Sequence, residues 1–194
     1  TICENNNSQV TITGTLETTV TYNINGGSNQ TTDLGTSGSS VLNTGTLTSN
    51  TTYNLVSSSY TLVTACTNNS LSGSATITVN PETIVEAGNP QTVCAGESIT
   101  LAGSISGGTT SGSWANSSDG TFLNQNSATS TFTPTISSGT ITLTLTSVDS
   151  DGSGPCSAVS DTVVITVNPA TTVDAGNAQT VCEGDSITLA GSIS

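Results

Sequence analysis

Five cysteines are the residues of this chain whose spacing points most directly to chemistry. Cys3 and Cys66 lie 63 positions apart (66 − 3), and Cys94 and Cys156 lie 62 positions apart (156 − 94). This repeated spacing predicts one disulfide in each of two modules, Cys3–Cys66 and Cys94–Cys156, with Cys182 paired to a cysteine beyond residue 194. In the chain-entropy model, closing a loop of that size contributes on the order of 4 kcal/mol of stability.

Buried free thiols and a thiolate metal site are the alternatives to this pairing. A tetrahedral thiolate site needs clustered cysteines such as CxxC, and the sequence has no such cluster. Disulfides are therefore favoured, and they predict an oxidising, extracellular location.

The charged residues are all acidic: 13 Asp and Glu stand against no Lys, Arg or His, for a net charge of −13. Phosphate-backbone binding depends on Lys and Arg, so nucleic acid is excluded as a partner. Without His, neither a Ser-His-Asp triad nor a His metal ligand can form. No apolar run approaches the roughly 20 residues that span a bilayer, so no membrane insertion is expected in this segment.

Carboxylates are the remaining groups that could act in catalysis or bind metal. A glycosidase needs two carboxyls at a fixed separation across a cleft, and nothing in the sequence brings a pair such as Glu97 and Asp119 together. We therefore expect no enzyme and no cofactor. Asp149 and Asp151, in DSDG, resemble half of a calcium loop, but position 160 is Ser where an EF-hand loop has Glu. Turn chemistry explains DSDG without a metal.

Two further patterns concern single side chains. Thr162 and Ser186 stand in short Asp-Ser/Thr-apolar patterns, DTV and DSI, which are possible O-glycosylation sites. Trp114 is the only Trp, and it could stack against a sugar or pack in a core. The core position is favoured for Trp114, and Tyr22 takes that place in the first module.

Apolar residues alternate with Thr and Ser along short segments, which predicts strands of half-buried sheets. Turn residues separate these segments, and no segment has helical spacing. About seven short strands in about 90 residues are typical of an antiparallel β-sandwich. The expected strands are 9–14, 18–24, 38–43, 52–58, 60–66 and 72–79, then 83–85, 91–93, 98–104, 112–116, 121–123, 127–133, 140–148 and 161–167.

A repeat sets the module boundaries. The 26 residues from Pro81, PETIVEAGNPQTVCAGESITLAGSIS, return from Pro169 with 20 identities, an offset of 88 (169 − 81). Each copy follows the residues TVN. We therefore expect modules at 1–80 and 81–168, with 169–194 as the N-terminal part of a third, truncated module. Because the connections are short, the modules are expected to form a string.

The quoted repeat carries a resemblance to a known family. VEAGNPQTVCAGESITLAGS and VDAGNAQTVCEGDSITLAGS resemble the start of the PKD-like/Ig-like repeats in giant surface adhesins of gliding bacteria. GSWANSSDGTFLNQNSATSTFTPT, TITLTLTS and PCSAVSDTVVITVNP are similar to the remainder of that repeat, whereas module 1–80 looks like a diverged relative. The resemblance implies an all-β string of Ig-like/PKD-like sandwiches, export by the type IX secretion system, and display on the cell surface.

The function expected from these observations is a structural repeat segment of a filamentous cell-surface adhesin, used in gliding or attachment. It would act as a disulfide-stapled extended stalk, with neighbouring repeats and surface polysaccharide or substratum as its partners. Two alternatives stay open: carbohydrate-binding or spacer modules of a secreted hydrolase, and a subunit of a self-assembling extracellular fibre.

Overall fold

The computed structural model describes residues 1–61, 67–68, 71–115 and 118–194. Within these ranges the regular elements are twenty β-strands and one short 3-10 turn, Gly35–Ser37. The predicted all-β fold class is confirmed. No helix among the described residues is long and apolar enough to cross a membrane.

The first eighty residues contain nine of the strands. They are β1 (Ile2–Cys3), β2 (Asn6–Thr13), β3 (Thr18–Ile24), β4 (Asn29–Asp33), β5 (Ser39–Leu47), β6 (Thr51–Tyr60), β7 (Thr67–Asn68), β8 (Ser74–Ile77) and β9 (Val79–Asn80). β2 pairs with β5, and a second sheet has the order β4-β3-β6, with β7 and β8 both paired to β6. β1 runs parallel to β9. Two antiparallel sheets with a parallel pair of first and last strands are the arrangement of an Ig-like sandwich.

The core of this part is built from the inward face of each strand. β2 alternates in burial, as its sequence pattern predicts, and the rings of Tyr22 and Tyr53 stack with centroids 6.1 Å apart. Tyr22 therefore lies in the core, as expected. The buried residues of this cluster are Val10, Ile12, Val20, Tyr22, Leu34, Tyr53 and Ile77.

The next eighty-eight residues contain nine more strands. They are β10 (Thr83–Glu86), β11 (Gln91–Cys94), β12 (Ile99–Thr100), β13 (Ser104–Gly107), β14 (Gly112–Trp114), β15 (Gly120–Phe122), β16 (Thr131–Pro134), β17 (Gly139–Ser147) and β18 (Ser160–Asn168). One sheet has the order β11-β18-β17-β14, another has the order β12-β16-β15, and β10 pairs with β13. β11 runs parallel to β18, whereas β17 and β18 are antiparallel.

The two larger sheets reproduce the strand order of an Ig-like sandwich. β17 buries alternate residues over its length, because a strand turns successive side chains to opposite faces. The fully buried side chains here include Trp114, Phe132, Leu101, Leu143, Leu145, Ile165 and Val163.

Residues 169–194 contain β19 (Val173–Asp174) and β20 (Ser192–Ile193), which pair antiparallel. Val173 and Leu189 are 74% and 77% exposed, whereas their counterparts in the preceding copy, Val85 and Leu101, are 8% and 1% exposed. The same apolar residues are thus core in one copy and surface in the other.

The chain forms two compact units. The first contains residues 1–84, 105–110 and 147–159, and the second contains 85–104, 111–146 and 160–194. Two segments that lie beyond position 81 in the sequence, 105–110 and 147–159, thus pack with the N-terminal residues.

Strand positions differ from expectation at several places, including the following three. β4 was not predicted, because NQTTD has no apolar alternation. Among the described strands it pairs with β3, at the edge of the sheet. The strand expected at 127–133 begins at Thr131, since the Ser130 amide turns back to the Ser127 carbonyl at 3.1 Å. Of the strand expected at 60–66, residues 62–66 lie outside the described residues.

Candidate functional site

The site with the clearest architecture surrounds a disulfide between Cys3 and Cys156 in the first compact unit. The two Cα atoms are 5.5 Å apart, across a sequence separation of 153 residues. Both predicted pairings, Cys3–Cys66 and Cys94–Cys156, are therefore wrong. Cys94 and Cys182 carry exposed free thiols, and Cys66 lies outside the described residues. Cys3 and Cys156 meet because β1 holds Cys3 in its ladder with β9, and hydrogen bonds within the 149–156 loop hold Cys156.

β1 positions Cys3 opposite Asn80, the last residue of module 1–80. Its ladder places Ile2 opposite Val79 and Cys3 opposite Asn80. The Ile2 amide donates to the Thr78 carbonyl at 2.9 Å, and the Glu4 amide donates to the Asn80 carbonyl at 2.8 Å. Cys3 is therefore fixed beside the connection between Asn80 and Pro81.

Two aspartates position Cys156. Oδ1 of Asp149 accepts hydrogen bonds from the amides of Asp151 (3.1 Å) and Gly152 (3.2 Å). The Asp151 carboxylate accepts from the amides of Gly154 (3.1 Å) and Cys156 (3.2 Å). These bonds are the side-chain-to-backbone turns that Asp favours in loops. These bonds place Cys156 beside Cys3, where Cys156 is buried (9% exposed).

The same bonds bear on the calcium hypothesis for Asp149 and Asp151. Their carboxylates already serve as acceptors for four backbone amides, so turn chemistry accounts for DSDG in this structure. Among the described residues, no group of three or more Cys, Asp or Glu is placed to hold a metal ion. Calcium binding at this loop stays a prediction.

The connection after Asn80 is held by a second set of contacts. The Glu82 amide donates to Oε2 of Glu4 at 3.2 Å, and the Glu82 carbonyl accepts from the Gly108 amide at 3.1 Å. Gly107 comes so close to Glu82 that a Cβ at Gly107 would lie 1.9 Å from the Glu82 carbonyl oxygen. A Cβ at Gly108 would likewise lie 2.5 Å from the Pro81 carbonyl oxygen and 3.3 Å from Cβ of Ser150.

These contacts bring together four segments: β1, the connection at 81–83, Gly107–Gly108 and the 149–156 loop. We call them the stapled junction. A cleft of about 280 Å³ runs along it, and its lining includes Cys3, Glu4, Pro81, Glu82 and Cys156. The two ionisable side chains there, Glu4 and Glu82, are both acidic. The arrangement holds a backbone connection by a covalent bond, hydrogen bonds and close packing.

The second repeat reproduces one half of the stapled junction. β11 and β18 place Val93 opposite Val167 and Cys94 opposite Asn168. The Ala95 amide donates to the Asn168 carbonyl at 2.8 Å, as the Glu4 amide does to the Asn80 carbonyl. Cys94 therefore occupies the position of Cys3 relative to its own last strand, but its thiol is free and exposed.

The two predicted glycosylation positions are both exposed. Thr162 lies on β18, and Ser186 lies in the third copy. Modification of either hydroxyl stays a prediction. The neighbouring Asp161 has a structural role, since its Oδ2 accepts a hydrogen bond from the Ala87 amide at 2.8 Å. Hydrogen bonds from the Ala87 amide first, and then from the Thr162 amide, lower the pKa of Asp161 below its usual value.

Trp114 packs in the core, as predicted, and is fully buried. Its Nε1 donates to the carbonyls of Ser127 (3.1 Å) and Ala128 (3.2 Å), and its ring stacks on Phe122 at 6.1 Å. With both the ring and its N–H engaged, no face of Trp114 is left for a sugar.

Comparison with known proteins gives a distant likeness in fold. No family model matches the chain, and no curated protein matches it. Among solved structures, a chimeric titin Z1Z2-Z1Z2 tandem functionalized with a GRGDS exogenous peptide from fibronectin matches 86% of this chain and 93% of its own. The identity is 13% and the TM-score 0.31. This likeness is too distant to bear on function, and the fold description rests on the strand pairing given above.

Proposed function

We propose that this chain is a load-bearing repeat segment of a bacterial cell-surface adhesin, a disulfide-stapled stalk rather than an enzyme. The observation that carries the proposal is the stapled junction. A disulfide between the start of one repeat and the end of the next resists separation of the two, which is a mechanical function.

The covalent connectivity defines how a pulling force would travel. Tension applied between residues 1 and 168 passes from Cys3 through the disulfide to Cys156, and then along β18. Residues 4–155 lie inside the ring that the bridge closes. They cannot be drawn out by a pull on the ends while the bridge is intact, even if their hydrogen bonds break.

The composition supports an exposed stalk whose copies do not aggregate. The chain carries 13 negative charges and no positive ones, so copies repel one another and do not stick nonspecifically. A disulfide of this kind requires an oxidising compartment, which supports location outside the cell. Neighbouring repeats of the same chain are its proposed partners, and surface polysaccharide or the substratum its proposed target. Gliding motility and export by the type IX system rest on the sequence resemblance alone.

Surface location can be tested by protease treatment of intact source cells. Proteinase K should remove the segment from intact cells, as measured with an antibody raised against the 194-residue chain. Trypsin is the matched control, because the segment contains no Lys or Arg for it to cleave. If proteinase K degrades the segment only after the cells are broken, the proposed location is wrong.

The mechanical role can be tested by single-molecule force spectroscopy on the 194-residue chain held by its two ends. Reduction should release a ring of 153 residues, which adds about 520 Å of contour at roughly 3.4 Å per residue. Pairings within each repeat would instead release two shorter lengths of about 210 Å each. Two such steps, or unchanged extension after reduction, would contradict the proposed load path.

A further inference from the structure

Cys94 occupies the same position in its β-ladder as Cys3, and Cys3 forms a disulfide. Cys3 and Cys94 lie on strands parallel to the last strand of their repeat, opposite Asn80 and Asn168 respectively. In each ladder the residue after the cysteine donates its amide to that Asn carbonyl, at 2.8 Å. Cys3 is bonded to a cysteine that lies in the loop before the last strand of the following repeat.

The residues after Asn168 begin another copy that shares part of the local structure of its predecessor. β19 pairs with β20 as β10 pairs with β13. Gly176 adopts φ +82° against the Ala190 carbonyl, as Gly88 adopts φ +91° against the Ala102 carbonyl. The β19–β20 pairing and the turn at Gly176 thus match the preceding copy, whereas the equivalents of β11 and β12 are not strands.

The apolar residues of this copy are not buried by the described residues of the chain. Val173, Val181 and Leu189 are 74%, 44% and 77% exposed, although their counterparts in the preceding copy are buried. Residues equivalent to 107–168 would bury them, and those residues would include an equivalent of Cys156.

From these observations we infer that Cys94 forms a disulfide with the cysteine equivalent to Cys156 in the repeat that begins at Pro169. Each bridge then runs from the first cysteine of one repeat to the last cysteine of the next. Consecutive covalent rings overlap, since the ring closed at Cys156 contains Cys94, where the next ring begins. This inference rests on the tandem array in the proposed function, and it names the partner of a thiol left free here.

The bridge forms by thiol–disulfide exchange with a small disulfide such as oxidised glutathione. The Cys94 thiolate attacks one glutathione sulfur and displaces the other glutathione as a thiolate. The thiolate of the second cysteine then attacks the Cys94 sulfur of the mixed disulfide and displaces the remaining glutathione. In total, two protein thiols are oxidised, and one glutathione disulfide is reduced to two thiols.

The test uses the whole 194-residue chain, extended after Ser194 by a second copy of residues 107–168. The added copy carries Ala158→Ser, at an exposed position, so that its cysteine peptide differs in mass from that of Cys156. After folding in a glutathione redox buffer, Glu-C and Asp-N digestion isolates Cys94 in residues 87–97 and Cys182 in residues 174–183. Mass spectrometry without reduction then reports which peptide is linked to the labelled one.

The expected result is a link between peptide 87–97 and the labelled peptide, lost in Cys94→Ser and retained in the matched variant Cys182→Ser. The inference is overturned if the labelled peptide is linked to 174–183, if Cys94 is linked to Cys66 or to a second chain, or if Cys94 still reacts fully with iodoacetamide. Any of these outcomes, with Cys3 still linked to Cys156, would leave the proposed stalk function standing while removing the overlapping rings.

Discussion

Gly107 offers a direct test of how tightly the stapled junction is packed. It adopts φ +85°, and a Cβ there would lie 1.9 Å from the Glu82 carbonyl oxygen. Gly96 is a matched control, because it adopts φ +86° and a Cβ there would meet nothing within 4 Å. Gly107→Ala and Gly96→Ala therefore impose the same backbone strain, and only the first adds a collision with the connection between repeats.

The magnitudes follow from this comparison. Placing Ala at positive φ costs about 1–2 kcal/mol at either position, offset by about 0.4–1 kcal/mol because Ala also restricts the unfolded chain. Gly96→Ala should therefore lower the free energy of unfolding by roughly 0–1.6 kcal/mol. Gly107→Ala should lose a further 1–3 kcal/mol or so, as overpacked sites do, because backbone must move to admit the methyl group.

Equilibrium urea unfolding of the oxidised protein, followed by circular dichroism, measures both losses. Equal losses in the two variants would refute the close approach of Gly107 to Glu82, and with it the packing described for the stapled junction. A larger loss in Gly96→Ala would refute it still more directly.

Three further predictions concern other parts of the chain. Trp114→Ala should destabilise the protein by about 3–5 kcal/mol, as large truncations in a core do. Unfolding must be followed by circular dichroism, because the variant has no Trp left to fluoresce. A loss below about 1 kcal/mol would contradict the full burial of Trp114. Asp161 has a lowered pKa, so the stability it adds is present above the unfolded value near 3.8 and is lost as the pH falls through the folded pKa. Asp161→Asn should thus be less stable than wild type at neutral pH and converge with it in acid; a difference independent of pH would contradict the bond to the Ala87 amide. Burial, and then the neighbouring Tyr22, raise the pKa of Tyr53, so wild type should lose stability relative to Tyr53→Phe above pH 10, whereas a constant difference would place Tyr53 in solvent.

The fold class could be predicted from sequence because alternation is local information. Ile141, Leu143 and Leu145 alternate with Thr, and β17 buries these three residues. β4 was missed because both of its faces are polar, so that its position depends on pairing with β3 and not on its own pattern.

The disulfide pairing could not be predicted, because spacing alone does not distinguish the alternatives. In a tandem repeat, joining each first cysteine to the last cysteine of the same repeat or of the next repeat gives equally regular spacing. The position of the 149–156 loop decides between these two pairings. That loop lies beside Gly108 and is bonded to Cys3, and both residues are distant from it in sequence. By contrast, the local bonds of Asp149 and Asp151 agree with the turn chemistry of DSDG.

The proposed load path depends on the bridge between Cys3 and Cys156, and a non-reducing peptide map of the 194-residue chain shows whether that bridge forms. Combined Glu-C and Asp-N digestion places each cysteine in its own peptide: residues 1–4 (TICE) for Cys3, 33–82 for Cys66, 87–97 for Cys94, 151–160 (DGSGPCSAVS) for Cys156 and 174–183 for Cys182. The expected result is TICE linked to DGSGPCSAVS, a species that disappears on reduction. TICE linked to residues 33–82, or DGSGPCSAVS linked to residues 87–97, would contradict the stapled junction and the load path drawn from it.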